Sequence, residues 1–491
     1  MASDASKRIV DGPLAREVAR FGIPLALGMA LQTTFNLVDA YLIAQLPRDE
    51  VGPALGALGI CDQIAALGSI LSYGISTASG ALLSRQEGAK ERAAIQHTAW
   101  QSILLVGMLS VAFGVVGVVG AGPLVRGVIG AKGAVAATAT RYLRVIVGGS
   151  FSIFFLLQLT SIQRALGSSK TPVALMVLGN VINVFFAIIL VFGPGPAPPA
   201  LAWAGPIAAA LHVPRMGMVG AAWATIFARA LVLVPNILVL ARRFHVVRPP
   251  RGARGPDVRE IRRILAIAWP SSAQMVVRIC AMLLLNSLVA RAFTTESNQT
   301  ASTAVGLVFR LDTMALFVAM GWGSAAQTFV GQNLGAGHEG RATRSGWLTV
   351  AYDGITNVLL VALVLHAGES ILRVFDDETA PIAIAMQYLQ IVAPAYVGLG
   401  LAVVLGNAMA GAGATRLTMW IDLAVILGFQ FPVSIVAVAL FHVSIEALFR
   451  CVAITHVVGA IAYAAVYLHG GWRRAGTAEA IDLEPVRTST A

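Results

Sequence analysis

Charge is what this sequence has least of. Asp, Glu, Lys and Arg make up 12% of its 491 residues, about half the share of a soluble domain, which excludes a soluble globular chain. Cysteine is sparse too: Cys61, Cys280 and Cys451 stand far apart, so neither a disulfide framework nor a CxxC metal pair is indicated. The eight histidines are scattered, and HExxH and GxSxG are missing; a membrane-embedded enzyme would need such a cluster, and no cofactor or metal is expected. The glycine-rich turn QNLGAGHEGRA lacks the GK[ST] ending of a phosphate-binding loop. The excess of 11 positive charges has little soluble sequence to occupy. It reads as contact with anionic lipid, and nucleic acid is not expected as a partner.

What is there is apolar. Hydrophobic residues reach 57% and mean hydropathy +0.77, and stretches long enough to cross a hydrocarbon core of roughly 30 Å recur throughout. The fold class expected is all-α and integral to the membrane. Its spans are 21–46, 55–83, 96–121, 140–163, 172–193, 217–241, 264–292, 302–331, 347–368, 382–410, 417–441 and 446–469. Residues 1–20 form an N-terminal segment without the apolar core of a cleaved signal. Two six-helix lobes, 21–241 and 264–469, follow with a linker at 242–263 between them and a tail at 470–491. Of 35 basic residues, 23 fall in the termini and alternate connections and 5 in the opposing ones, which places both termini in the cytoplasm and the protein in the inner or plasma membrane.

The two halves repeat each other. Pro24 and Pro270 lie 246 residues apart in matching segments, SGALLSRQEGAKERA answers SAAQTFVGQNLGAGHEGRA with Gln86 against Gln332, and RALGSSKTP answers NAMAGAGATR. An even number of helices per half makes the repeats parallel, as in transporters that rock two lobes around a central site.

AMGWGSAAQTFVGQNLGAGHEGRA at 319–342, RALGSSKTP, GMVGAAWAT and the duplicated layout resemble the multidrug and toxic compound extrusion (MATE) family, over about residues 16–468. The resemblance implies a cation-coupled antiporter that exports small organic, often cationic, compounds, working as a monomer. It also implies a coupling site built from Asp39, Asn183 and Thr225, with Ala187 where the family has a second Asp. One carboxylate suits a proton better than sodium, whose coordination needs more oxygen charge; sodium coupling and a flippase for a lipid-linked precursor are the alternatives.

The residues themselves support that site. Asp39 sits inside FNLVDAYLIAQL, and Gln32, Asn36 and Asp39 share one helix face. An ionised carboxylate there costs about 2.5 to 3.5 kcal/mol, so intramembrane carboxylates are functional by default. Pro24 supplies a hinge. Asn180, one turn from Asn183, lines the same pocket or packs helices. In the second half Gln274 and Arg278 share a polar face with Ser271. Arg310 and Asp312 point apart and need partners from other helices: Asp312 with Arg278, or Arg310 with Asp422 or Asp353. Asp62 matches Asp312 at an offset of 250. Trp322, Phe317, Tyr388 and Tyr396 either stack on an organic cation or pack.

Overall fold

The computed structural model describes residues 4–246, 254–295, 298–375, 378–441 and 443–474, without the side chains of 4–5, 33–37, 39–40, 48–49, 53, 55–56, 59–60, 62–63, 66–67 and 128. The side chains of Asn36, Asp39 and Asp62 therefore lie outside the described residues.

The long helices are α1 (Leu14–Ala44), α2 (Arg48–Gly88), α3 (Arg92–Gly127), α4 (Gly133–Ala165), α5 (Lys170–Phe192), α6 (Met218–Phe244), α7 (Val258–Ala292), α8 (Thr300–Gly335), α9 (Glu339–Leu372), α10 (Thr379–Gly411), α11 (Thr415–Ala439) and α12 (Ile445–His469). Ten of them, α3 to α12, are long and apolar enough to cross a membrane; α1 and α2 span 31 and 41 residues. A bilayer forces this choice, because a helix satisfies its backbone hydrogen bonds within itself. The exterior is correspondingly apolar: Val111, Val115 and Val119, one turn apart on α3, are 66%, 58% and 72% exposed, while Gln101, Gln158, Gln163, Asn236 and Gln332 are fully buried. Polar side chains here point inward and find each other, as Gln163 Nε2 does with Asn236 Oδ1 at 2.8 Å.

The duplication is visible in the breaks. α4 is interrupted between Gly148 and Phe151 and α10 at Ala393–Ala395, in matching places; Pro394 lacks the N–H that would continue α10. Pro24 and Pro270 lie inside α1 and α7. Where α2 and α8 end, the register is 247 rather than 246. Lys90 and Gly337 both take a left-handed φ, 61° and 80°. Arg85 Nη1 donates to Ala412 O at 3.1 Å across the halves, and Gln332 Nε2 donates to Ala165 O at 2.7 Å the other way. Gln332 is thus the counterpart of Arg85, not of Gln86. Carried back along the unbroken helices, the same register sets Asp62 opposite Phe309 rather than Asp312.

The halves meet through α1 on α8, α2 on α7 and α2 on α8. Contact is close enough to involve backbone. A Cβ on Gly88 would collide with the carbonyl of Gln332, and one on Gly335 with the carbonyl of Arg85. Closer to mid-helix, Gly74 lies against Ala268 and Ser272, and Gly321 against Leu25 and Ala26. Among the described residues these contacts run from the ends of α2 and α8 to about Ile70 and Gly321, where Ser272 Oγ donates to Ile70 O at 3.2 Å. The start of α7 is fastened on the same side: Asp257 caps it by accepting from Arg259 N and Glu260 N, and its other oxygen lies 3.0 Å from His97 Nε2. Burial raises the Asp257 pKa, but these hydrogen bonds outweigh that and hold it below the ordinary carboxylate range.

If this glycine-lined contact is one of the two states the protein alternates between, Gly335→Leu should depress substrate transport about tenfold or more, since a shift of ~1.4 kcal/mol in one state's stability suffices. Transport into vesicles at equal protein density checks this; unchanged transport would mean that the contact need not close.

Candidate functional site

In the first half, helices α1, α5 and α6 bring polar groups together. Asn180 Nδ2 donates to Gln32 Oε1 at 3.3 Å, joining α5 to α1. Asn183 Nδ2 donates to Thr225 Oγ1 at 3.1 Å, joining α5 to α6, and the threonine donates in turn to Ala221 O at 2.9 Å. The resemblance grouped Asn183 and Thr225 from distant parts of the chain, and they are in contact. Asn180 bonds to the polar stripe of α1. Ala187, two turns along α5 from Asn180, is fully buried among apolar neighbours. Pro24 lies where α1 is pressed on α8, between Gly22, which faces the ring of Trp322, and Ala26, which faces Gly321.

The second half builds the same three-helix junction from charged parts. Arg278 Nε of α7 donates to Asp422 Oδ2 of α11 at 2.7 Å. Tyr463 of α12 donates to Asp422 Oδ1 at 2.7 Å, and Gln274 Nε2 donates to the Tyr463 hydroxyl at 2.8 Å. At the 246-residue offset Gln32 corresponds to Arg278, so an uncharged first-to-fifth helix link in one half is an ion pair in the other. Between the halves lies a cavity lined by Tyr73 and Thr77 of α2, Gln274 and Arg278 of α7, Met320 of α8 and Asn407 of α10, among others. Arg278 is the one charged side chain on its lining among the described residues.

Two expected pairings are corrected. Asp312 does not meet Arg278; it accepts from Tyr388 at 2.5 Å and also from Tyr396. A phenol is a donor that needs no counter-charge to be buried, so the carboxylate is held inside α8 and α10 by neutral groups. Arg310 meets neither Asp422 nor Asp353 but lies over the ring of Phe375, 4.4 Å from its centre. Asp353 is fully buried, with its carboxylate beside the Asn357 amide nitrogen where both face Gly400. Tyr388, Tyr396 and Trp322 are 1%, 1% and 2% exposed. They pack, and Trp322 Nε1 donates to Thr356 Oγ1 at 3.1 Å, so none is free to stack on a substrate in this state. Among the described residues no group of three or more His, Cys, Asp or Glu is placed to hold a metal.

The MatE sequence family matches residues 24–189 and again 270–436, once in each half and at offsets of 246 and 247. The chain belongs to the MatE family. Its relatives include a probable multidrug resistance protein, YpnP, of Bacillus subtilis (strain 168), 25% identical over 86% of this chain and 88% of that protein. An FAD transporter of Shewanella oneidensis is 23% identical over 82% of this chain and 83% of its own length. Among solved structures, the outward-facing conformation of a multidrug resistance MATE family transporter superimposes with a TM-score of 0.82 at 20% identity, covering 98% of this chain and 100% of that one. This MatE protein is a multi-pass membrane transporter and not an enzyme.

Sequence reasoning missed Tyr463, Tyr388 and Tyr396 as ligands of buried carboxylates. A tyrosine on an apolar helix carries no signal that its hydroxyl is directed; only the odd acidic residue on the facing helix hints that a donor must exist.

Asp422→Asn should destabilise the protein by about 3 kcal/mol or more, because it strands the Arg278 guanidinium. The paired change Arg278→Met with Asp422→Leu should recover most of that loss. Thermal unfolding of the purified protein decides; equal losses in the single and paired variants would show that the pair contributes nothing specific.

Proposed function

We propose that this MatE transporter is a proton-driven antiporter that exports small organic compounds from the cytoplasm by alternating access of lobes 21–241 and 264–469, joined by the linker 242–263. It works as a monomer in the inner or plasma membrane with both termini cytoplasmic. With that orientation, the closed contact between α2 and α8 is the cytoplasmic gate, and the conformation is outward-facing. Coupling is assigned to Asp39 with Asn180, Asn183 and Thr225. The observation that carries the assignment is the pair of links Gln32–Asn180 and Asn183–Thr225, which gather α1, α5 and α6 around the helix face that the sequence assigns to Asp39.

The chemistry follows from charge. An ionised Asp39 in a low-dielectric span prefers amide and hydroxyl donors around it, whereas a protonated Asp39 is neutral and demands less. Exchange of that proton therefore changes how tightly α1 is held to α5 and α6. With Ala187 in place of a second carboxylate, a proton fits better than sodium, which gathers several hard oxygens.

The names of the multidrug relatives support organic cations as cargo. A second reading has its own observation: Arg278 on the cavity wall admits an anionic or zwitterionic substrate, and one relative is named an FAD transporter.

Proteoliposomes carrying wild type or Asp39→Asn, tested with a cationic dye and with a flavin dinucleotide under an imposed proton or sodium gradient, separate these readings. The expectation is proton-driven dye movement that falls to the gradient-free rate in the variant. Undiminished coupling in Asp39→Asn would remove Asp39 from the mechanism, and flavin transport in preference to dye would favour the anionic reading.

A further inference from the structure

Ahead of α1 a short helix, Asp4–Asp11, lies where the two halves meet. Eight residues are too few for a helix to persist in water by itself, so this one depends on what it rests against. Both halves supply support. On one side Arg8 Nε lies 3.7 Å from Glu17 of α1, and Ile9, 2% exposed, packs with Val18, Phe21 and Leu25 of the same helix. On the other side Ile9 shares that cluster with Ala325 and Phe329 of α8. Ser6 Oγ, also buried, donates to Gln332 Oε1 of α8 at 3.2 Å.

A helix leaves its last carbonyls without partners of its own. Here the opposite half provides one: Arg341 Nη2 of α9 donates to the backbone oxygen of Ile9, at 3.1 Å, and to that of Gly12. A cation at this end also suits the helix dipole. A little further on, Ala15 O accepts from the hydroxyl of Tyr352, again on α9, at 3.1 Å. Gln332 is the joint of the arrangement, since its Nε2 donates across the halves to Ala165 O while its Oε1 receives Ser6.

The other half does the same. Trp100 Nε1 and Gln101 Nε2 of α3 donate to Arg254 O and Gly255 O, each at 2.9 Å, in the segment that leads into α7. In both halves, then, the segment before the first helix crosses to the third helix of the opposite half and gives it backbone carbonyls. A contact made twice in this way belongs to the closed arrangement of the halves.

We propose that Asp4–Asp11 is a strap that holds the halves together at this end, docked on Phe329, Gln332 and Arg341 only while the end of α8 and the start of α9 stay beside the start of α1. Gly12 and Pro13 alone join it to α1, so it cannot travel far with α8 and α9 when they move away. Parting the halves then exposes Ile9 and strips the helix of its cap, and contacts made in one state and lost in the other shift the balance toward the first. The strap rests on the alternating-access reading proposed above.

Spin labels on Glu91→Cys, ahead of α3, and His338→Cys, ahead of α9, both at exposed positions, report by their distance how often the halves part. The full-length protein is used in lipid nanodiscs, with Cys61, Cys280 and Cys451 replaced by alanine. Ile9→Ser and Arg341→Met should each raise the ratio of separated to closed molecules about tenfold. Lys7→Ala, on the exposed side of the same helix, should leave that ratio as in the wild type. An unchanged ratio in both strap variants, or an equal rise with Lys7→Ala, would overturn the strap and leave alternating access standing. Labels that never separate in any variant, although the protein transports, would overturn alternating access at this contact and the strap with it.

Discussion

The two halves of this transporter touch through backbone. At Gly88 and Gly335 the carbonyl of the opposing helix occupies the space where a Cβ would be, and the arrangement is reciprocal, since Arg85 and Gln332 reach across to the matching carbonyls of Ala412 and Ala165. Lipid supplies little hydrophobic force to hold helices together, so association depends on close packing of small residues and on a few hydrogen bonds. Both are found at the ends of α2 and α8. Apolar side chains add to the contact: Phe21 and Leu25 of α1 pack on Ala325 and Phe329 of α8, and Ile75, Ala78 and Leu82 of α2 pack on Ile264, Ile267 and Ala268 of α7. The ordering of the rest follows, because two rigid bundles that meet at one end enclose a cavity beyond it, and the cavity lined by Tyr73, Gln274, Arg278 and Asn407 is there.

Inside each bundle the governing constraint is the cost of polar groups in an apolar medium. Each half answers it at the junction of its first, fifth and sixth helices. The first half uses amides and a hydroxyl, Gln32, Asn180, Asn183 and Thr225; the second uses an ion pair and a phenol, Arg278, Asp422 and Tyr463. The duplicated frame is kept while the chemistry diverges. An ion pair fixes α7 to α11 firmly, because breaking it strands two charges. Neutral amides hold α1 to α5 more loosely. In the proposed mechanism this asymmetry makes the first half the one whose helices rearrange when a carboxylate gains or loses its proton.

Much of this was legible beforehand, for reasons that can be named. Long apolar runs and the bias of Lys and Arg need no tertiary information, and Pro24 with Pro270 disclosed the repeat because a proline inside a span is rare enough to serve as a register mark. Identical letters match Gln86 with Gln332, whereas the structure sets Gln332 opposite Arg85, because what is preserved is a long donor reaching a carbonyl, and glutamine and arginine both supply one. The partners of Asp312 and Arg310 were out of reach for a related reason. Charges are visible in a sequence and suggest ion pairs, whereas the phenols of Tyr388 and Tyr396 and the ring of Phe375 solve the same problem without a charge.

The second half then holds two buried carboxylates in different settings. Asp312 accepts from the phenols of Tyr388 and Tyr396, while Asp353 lies beside the Asn357 amide nitrogen against the backbone of Gly400. Both adjoin α10, Asp312 through Tyr388 and Tyr396 on either side of the break at Ala393–Ala395, and Asp353 through Gly400 one turn beyond Tyr396. A helix already interrupted at its centre has lost part of its hydrogen-bond ladder and bends there at least cost. The same break recurs in α4, where the described residues place no carboxylate beside it, so the capacity to bend belongs to the ancestral repeat and the charges that could exploit it belong to the second half.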